Sequence, residues 1–351
     1  MNTITVNAST QYDVIVGSGL LSQLGQRLKG LTKASKIALI SDSNVWPLYG
    51  EVARKSLCCA GYTDIVSYQF PAGEQSKNGA TYLSILEFLA QNHLTRSDCI
   101  VALGGGVVGD MTGFVAATYL RGIDYVQVPT TVLAAVDSSV GGKTAIDLAG
   151  GKNLAGAFYQ PRLVLCDTDT LNTLPWEIFR DGCAEIIKYG VLYDAAMFAH
   201  LKDHGLAFDR EAVIARCVEL KRDVVAQDEF DRGERQKLNL GHTVGHGVEA
   251  RSSFAISHGQ AVAIGISIVS RSAYDHGICG KETVDEVIQV LQLFGLPTAT
   301  AFTAEELHRS ALSDKKRSGD TVNLIVPEAI GSCIIRPIGV GELKAFIEAG
   351  L

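Results

Sequence analysis

The 351-residue sequence predicts two folded parts: a Rossmann-like α/β domain over residues 1–170 and a mainly α-helical domain over residues 171–351. Three observations carry this reading. Short β-branched runs alternate with helical periodicity through the first half, the rhythm of a parallel sheet covered on both faces. One such run ends in a glycine-rich turn that opens a helix. Near residues 168–175 the strand signals give way to long helical patterns.

In order, Tyr12–Val16 reads as a strand. Lys36–Ile40 reads as a buried parallel strand that ends at Ser41-Asp42, and Asp64–Phe70 as another. Thr81 to Asn92 has helical periodicity. Cys99–Leu103 is a strand that runs into Gly104-Gly105-Gly106, and Tyr125–Val128 and Leu163–Cys166 follow. Beyond the boundary, helices are expected over Leu174–Tyr193, Arg210–Gln227, Gly241–Glu249, Gly259–Tyr274 and Lys281–Phe294. The late strands are Val322–Val326 and Ser332–Arg336.

Composition excludes several classes. A 47% apolar, 20% charged chain is ordinary globular material. The net charge of −7, without a basic stretch, gives no reason to expect nucleic-acid binding. No apolar run is long enough to span a bilayer, and the first residues lack the basic-then-apolar pattern of a secretion signal. A cytoplasmic protein is expected. The eight scattered cysteines include no CxxC pair, which points to reduced thiols rather than a disulfide frame or zinc ribbon.

The candidate chemistry lies in a few strings. Gly104, Gly106 and Gly109 satisfy GxGxxG between a strand and a helix, where backbone N–H groups can approach a pyrophosphate. Asp42, at the end of a strand, is a better ribose partner than Asp124, which precedes one. Lys143 and Lys152 sit beside paired glycines, as suits a flexible loop closing over anionic groups. The GGKT string is no Walker A loop, because no glycine stands five residues before Gly142, where that motif requires one. Glu185 and Lys188 share a helix face at i, i+3, either as a surface ion pair or as a buried functional pair. Arg235, Asn239, His242, His246 and Glu249 are spaced 4, 3, 4 and 3, one face of a continuous helix. Such residues suit a metal and an anionic substrate, and His258 is a plausible further ligand. Gly241, Gly245 and Gly247 each cost helix stability, roughly 1 kcal/mol relative to alanine, which argues for close approach of a backbone or ligand. Lys221 and Lys315-Lys316 read by themselves as solvated charges.

Taken as an ordered set, the strings GEQSK (73–77), GGGVVGDMTGF (104–114), RG (121–122), VPTTVLAAVDSSVGGKTAID (128–147), GKN (151–153), GAFYQP (156–161), GCAEIIKYG (182–190), ELK (219–221), RQKLNLGHTVGH (235–246), HGQAVA (258–263) and SDKK (313–316) resemble the 3-dehydroquinate synthases of the sugar-phosphate cyclase superfamily. The resemblance implies an NAD-binding first domain and a divalent metal, zinc or alternatively cobalt, held by Glu185, His242 and His258. His246 becomes a catalytic neighbour rather than a ligand. It implies substrate contacts from Arg121, Asp137, Lys143, Lys152, Asn153, Lys188, Lys221, Arg235, Asn239, His246 and Lys315. It implies NAD contacts from Asp42, Asn44, Glu74, Lys77, Gly105, Gly106, Val107, Asp110, Thr130, Thr131, Lys143, Lys152 and Thr173. The implied reaction converts 3-deoxy-D-arabino-heptulosonate 7-phosphate, an anionic sugar-acid phosphate, to 3-dehydroquinate, and the implied assembly is a homodimer. Three alternatives remain at this stage. Another sugar-phosphate cyclase would differ at the substrate residues. A metal-dependent polyol dehydrogenase would release NADH stoichiometrically. A non-catalytic NAD-binding protein would not bind zinc.

Overall fold

A computed structural model describes residues 1–252, 255–312, 317–318 and 320–351. In chain order the strands are β1 (Asn2–Val6), β2 (Tyr12–Gly17), β3 (Lys36–Asp42), β4 (Asp64–Phe70), β5 (Cys99–Gly104), β6 (Asp124–Pro129), β7 (Lys143–Leu148), β8 (Gly151–Phe158), β9 (Leu163–Asp167), β10 (Arg317–Ser318), β11 (Thr321–Ala329) and β12 (Ser332–Gly339). The helices are α1 (Leu24–Lys29), α2 (Glu51–Cys59), α3 (Gly79–Gln91), α4 (Gly106–Thr118), α5 (Trp176–Tyr193), α6 (Ala195–His204), α7 (Arg210–Gln227), α8 (His242–Arg251), α9 (His258–Asp275), α10 (Lys281–Leu293), α11 (Ala304–Leu312) and α12 (Val340–Gly350).

The chain divides into two compact units. The first holds Met1–Leu174 together with Arg210–Phe230. Its seven-stranded sheet has the order β1-β2-β9-β6-β5-β3-β4, parallel except for β1 against β2. Strand β3 shows why it is central. Ile37 and Leu39 pack with Leu24, Leu28 and Leu57 of α1 and α2. Ala38 and Ile40 pack on the opposite face with Ile85, Leu89, Met111 and Val115 of α3 and α4. Alternate side chains point to opposite faces, so a strand covered on both must be apolar throughout. Each such side chain contributes about 1.5–3 kcal/mol by leaving water.

The strand order reverses beside β3. From β3 the chain passes through α2 to β4 on one side, while β5 lies on the other and leads through α4 to β6. Helices α2 and α4 therefore cover opposite faces, and the carboxyl ends of β3 and β5 open a crevice between them, the usual ligand position in such sheets. Ser41 pairs with Leu103 at that end, which sets Asp42 close to Gly104.

The leading segment of the first unit ends at Leu174, and α7 lies beyond it. This helix returns to the first unit and packs on β1, β2 and the turn at 134–138. Its apolar face could serve either unit, so periodicity alone does not assign it. The expected flexible loop at Lys143–Lys152 is instead an antiparallel hairpin of β7 and β8, with Lys143 opposite Phe158 and a register shift between Ile146 and Leu148.

The second unit comprises Pro175–Asp209 and Asp231–Leu351. Its central helix is α9, packed against α5, α8, α10 and α12. Residues 261–270 of α9 are all buried, which accounts for their nearly unbroken apolar run. An antiparallel sheet β10-β11-β12 completes the unit.

Candidate active site

The first unit carries most of the residues expected to meet nucleotide and anion. Gly105 precedes α4, and Gly106 and Val107 form its first turn. The remaining glycines of that string serve packing. A Cβ on Gly109 would lie 2.5 Å from Gln127 Oε1, and one on Gly113 would overlap Thr144. Thr130 donates its backbone N–H to the Gly104 carbonyl at 3.0 Å, and the Thr131 hydroxyl accepts from Ala134 N at 3.2 Å. Across the crevice, Asp42 Oδ1 accepts from the backbone N–H groups of Asn44 and Val45 at 2.8 and 2.9 Å, which fixes the turn after β3. Thr173 lies further along, with its hydroxyl 2.5 Å from the Tyr49 phenol.

A second group surrounds Lys77. Its ammonium donates to Asp110 Oδ2 at 2.7 Å and to Asn153 Oδ1 at 2.6 Å. Burial works against the charge, but Asp110 and Glu74 outweigh it and hold the Lys77 pKa above its ordinary value. Lys152 lies 3.5 Å from Glu74. Asn153 adopts φ +53° and donates its N–H to Asp147 Oδ1 at 2.8 Å. Lys143, Asn153 and Arg121 are exposed, and Arg121 also has positive φ. Lys221 is not solvated: it is 6% exposed and ion-paired with Asp137, and it donates to the Asp137 carbonyl at 2.5 Å. The sequence shows only the charge, whereas the packing of α7 on the 134–138 turn buries it.

In the second unit the segment 235–249 is not helical throughout. Glu234–Asn239 forms a short helical turn, Leu240 is extended, and Gly241 takes φ +77° before α8 begins. His242, His246 and Glu249 keep their common face on α8, while Arg235 and Asn239 belong to the preceding turn. The glycines let helices meet. A Cβ on Gly265 of α9 would overlap the Gly241 carbonyl, and one on Gly245 would lie 2.9 Å from the Ala261 carbonyl. This contact brings His242 of α8 beside His258, the first residue of α9.

Glu185 of α5 completes a triangle with these histidines, and one donor atom from each lies within 4.8 Å of the others. Glu185 Oε1 is 3.5 Å from His242 Nε2 and 3.3 Å from His258 Nε2. Ligands about 2.0–2.1 Å from a tetrahedral zinc lie roughly 3.3–3.5 Å from one another, so the donors fit such an ion. The outer nitrogens are also held. His242 Nδ1 lies 3.1 Å from the Leu240 carbonyl, and His258 Nδ1 lies 3.4 Å from Glu249 Oε2. Partners of this kind fix the tautomer and orientation of a metal-bound imidazole. Glu249 belongs to the polar stripe, but its part as the His258 partner is invisible in linear spacing.

The two histidines differ in charge state. Burial holds His242 well below its ordinary pKa despite the nearby Glu185. Burial also opposes charge on His258, but the hydrogen bonds it donates to the Glu185 and Glu249 carboxylates overcome it and push the pKa up to about 10. Lys188 pairs with Glu185, and both are buried, at 1% and 0% exposure, rather than forming a surface pair. His246 lies beside the triangle, its ring centroid 5.5 Å from that of His242. Arg235 is buried, and Asn239 donates to the Gln236 carbonyl at 2.9 Å. Lys315 and Lys316 lie outside the described residues.

Comparison with known proteins agrees with this geometry. Family models described as 3-dehydroquinate synthase N-terminal and C-terminal match residues 67–181 and 182–317. The 3-dehydroquinate synthase of Streptococcus suis (strain 05ZYH33) is 42% identical over 98% of this chain and 99% of its own. That of Pelobacter propionicus is 44% identical over 95% and 96%. Among solved structures, 2-epi-5-epi-valiolone synthase from Streptomyces hygroscopicus subsp. jinggangensis 5008, with NAD+ and Zn2+ bound, superposes with a TM-score of 0.86 at 26% identity, covering 98% of each chain. With two family models spanning residues 67–317 and relatives above 40% identity along almost its whole length, this chain belongs to the 3-dehydroquinate synthase family.

Proposed function

We infer that the chain catalyses the reaction of its family, conversion of 3-deoxy-D-arabino-heptulosonate 7-phosphate to 3-dehydroquinate and phosphate in the shikimate pathway to aromatic amino acids. The observation that carries this reading beyond the sequence is the Glu185–His242–His258 triangle, a three-ligand donor set with its outer nitrogens held. In the substrate a ring hydroxyl is oxidised transiently, phosphate leaves by β-elimination, and the ketone is reduced again. Ring opening and an intramolecular aldol step then close the carbocycle. Bound NAD supplies the hydride acceptor and donor for this cycle, and a divalent ion, zinc or cobalt, supplies a Lewis acid that polarises the hydroxyl.

The chain's own residues bind, orient and move protons. Glu185, His242 and His258 hold the ion and leave positions for substrate hydroxyls. The Rossmann turn at Gly105-Gly106-Val107, with Asp42, Thr130 and Thr131 at neighbouring strand ends, cradles the dinucleotide. Arg121, Lys143, Asn153 and Lys315 bind the phosphate, while Arg235 and Lys221 hold the carboxylate end. Lys152 and Asn239 complete the contacts. His246, Lys188 and Asp137 manage protons. The retained Arg235, Asn239 and His246 favour the dehydroquinate reaction over that of another cyclase, since they would meet the acid end and the ring. A cytoplasmic homodimer is part of the same reading, and free thiols at all eight cysteines, six of them buried, accord with a reducing compartment. No described helix is long and apolar enough to cross a membrane.

The test is phosphate release from the heptulosonate phosphate with catalytic NAD, with and without a chelator, while NADH absorbance is followed. Metal-dependent release without net NADH is expected. Metal-replete, NAD-loaded protein that releases no phosphate would overturn the synthase reading and turn attention to sugar phosphates lacking the carboxylate. Stoichiometric NADH would identify a dehydrogenase instead.

A further inference from the structure

We propose that Asp181 is a positioning residue for the metal site: it locks the first turn of α9 onto α5 and so fixes where His258 meets Glu185. This rests on the metal-site reading above. Asp181 and Glu185 lie at i, i+4 on α5, one turn apart on the same face. Asp181 Oδ1 accepts from the Ser257 hydroxyl and, at 2.9 Å, from the backbone N–H of Gln260. Those two residues straddle His258. Gly259 makes the approach possible, because a Cβ there would overlap the Asp181 carbonyl oxygen. The upper turn of α5 thus grips the frame of α9, while its next turn presents the carboxylate that faces the His258 imidazole at 3.3 Å.

Helix capping alone does not account for this arrangement. Helix α9 already carries a local capping box, in which the Ser257 side chain accepts from the Gln260 backbone and the Gln260 side chain accepts from the Ser257 backbone. The Ser257 N–H is thus satisfied within α9, but the Gln260 N–H is also held from outside it, by Asp181. Asp181 adds an acceptor from a different helix, and the work of that acceptor is to set α9 against α5. Glu249 fixes the ring of His258 through Nδ1, but it cannot set the position of the backbone that carries the ring. The polar groups that place His258 are thus divided: Asp181 holds the main chain on either side of it, and Glu249 holds the imidazole. All of these residues lie in the second unit.

The test compares zinc affinity, measured by competition with a chromophoric chelator, with the thermal midpoint of the metal-free protein. Asp181→Ala removes both bonds and should weaken zinc binding by about tenfold or more, within the range for loss of an outer partner. Asp181→Asn keeps an oxygen acceptor in place and should recover affinity to within about threefold of the parent protein. Leu201→Ala, a buried cavity variant on α6, provides a comparison that lowers the midpoint at a residue outside the contacts of Asp181 with Ser257 and Gln260. Asp181→Ala with parental zinc affinity would overturn the proposal, as would equal weakening in Leu201→Ala. Failure of the parent protein to bind zinc would overturn the metal-site reading as well, so the two failures are distinguishable.

Discussion

The polar groups around Lys77 and those around Glu185 are built in opposite senses. In the first unit a lysine, an aspartate and an asparagine meet at 2.6–2.7 Å, and the cation is used up by its own neighbours. In the second, one carboxylate oxygen lies 3.5 and 3.3 Å from two imidazole nitrogens, the separation expected of ligands around an ion. Lys188 neutralises Glu185 from the side without entering the triangle. One cluster is a set of partners already bonded to one another, whereas the other is a donor set that fits an ion. Burial alone does not separate them; the spacing of the donor atoms does.

Four experiments would break or sharpen that contrast. The largest effect is expected from Glu185→Gln, which removes the charged ligand. Zinc affinity should fall by more than the roughly 10–100-fold typical of an outer partner, with activity lost alongside it. Near-parental zinc binding would make the triangle a hydrogen-bonding cluster after all. Next, Lys77→Ala leaves Asp110 without its nearest cation. Because Asp110 is only partly buried, the loss of stability in urea unfolding should sit near the lower end of the roughly 3–5 kcal/mol range for broken buried pairs. The Lys77→Ala/Asp110→Ala double variant should recover part of it, and zinc affinity should not move in either. A shift in zinc affinity would end the claim that the clusters act separately.

A smaller effect is expected from Gly265→Ala. Its Cβ would push α9 from the Gly241 carbonyl, at a cost of about 1–3 kcal/mol, and should weaken zinc binding by moving His242 away from His258. Unchanged stability would refute the close-approach role of these glycines. The smallest is a proton count. His242 is held neutral by burial, while His258, with a pKa of about 10, is protonated at pH 7 in the metal-free protein. Zinc binds neutral imidazole, so about one proton should leave per ion, and affinity should rise with pH towards that value. Calorimetry in buffers of different ionisation enthalpy reads the number directly. The same sign governs the metal-free fold. His258 contributes stability that is fully present below the ordinary histidine pKa and is lost as pH rises through about 10.

Much of the fold was legible from periodicity. Strands such as Asp64–Phe70 and helices such as Arg210–Gln227 fall where the pattern sets them. The hairpin at 143–158 was not, because glycine-rich strings with paired lysines read as a loop, and its two strands form a sheet of their own. The metal site was half legible. The His242–His246 spacing marks a polar helix face, but a ligand triangle requires two further helices, and their approach depends on glycine contacts between residues distant in sequence. Spacing alone would select His246, whereas the geometry and the family pattern select Glu185 and His258. The start of α8 near Gly241 was legible, but the 4, 3, 4, 3 spacing runs straight across it and does not show that Arg235 and Asn239 belong to a separate turn.

The return of α7 to the first unit has a consequence for synthesis. A ribosome that has released residues 1–174 has not yet supplied the helix that covers β1 and β2 and neutralises Asp137 through Lys221. The opening stretch of the second unit, residues 175–209, must emerge before that helix does. The nascent amino-terminal sheet therefore waits, with one flank bare, on chain that includes part of its neighbour. A fragment cut at the apparent boundary would keep that flank exposed permanently, so the first unit cannot be completed before part of the second has been made.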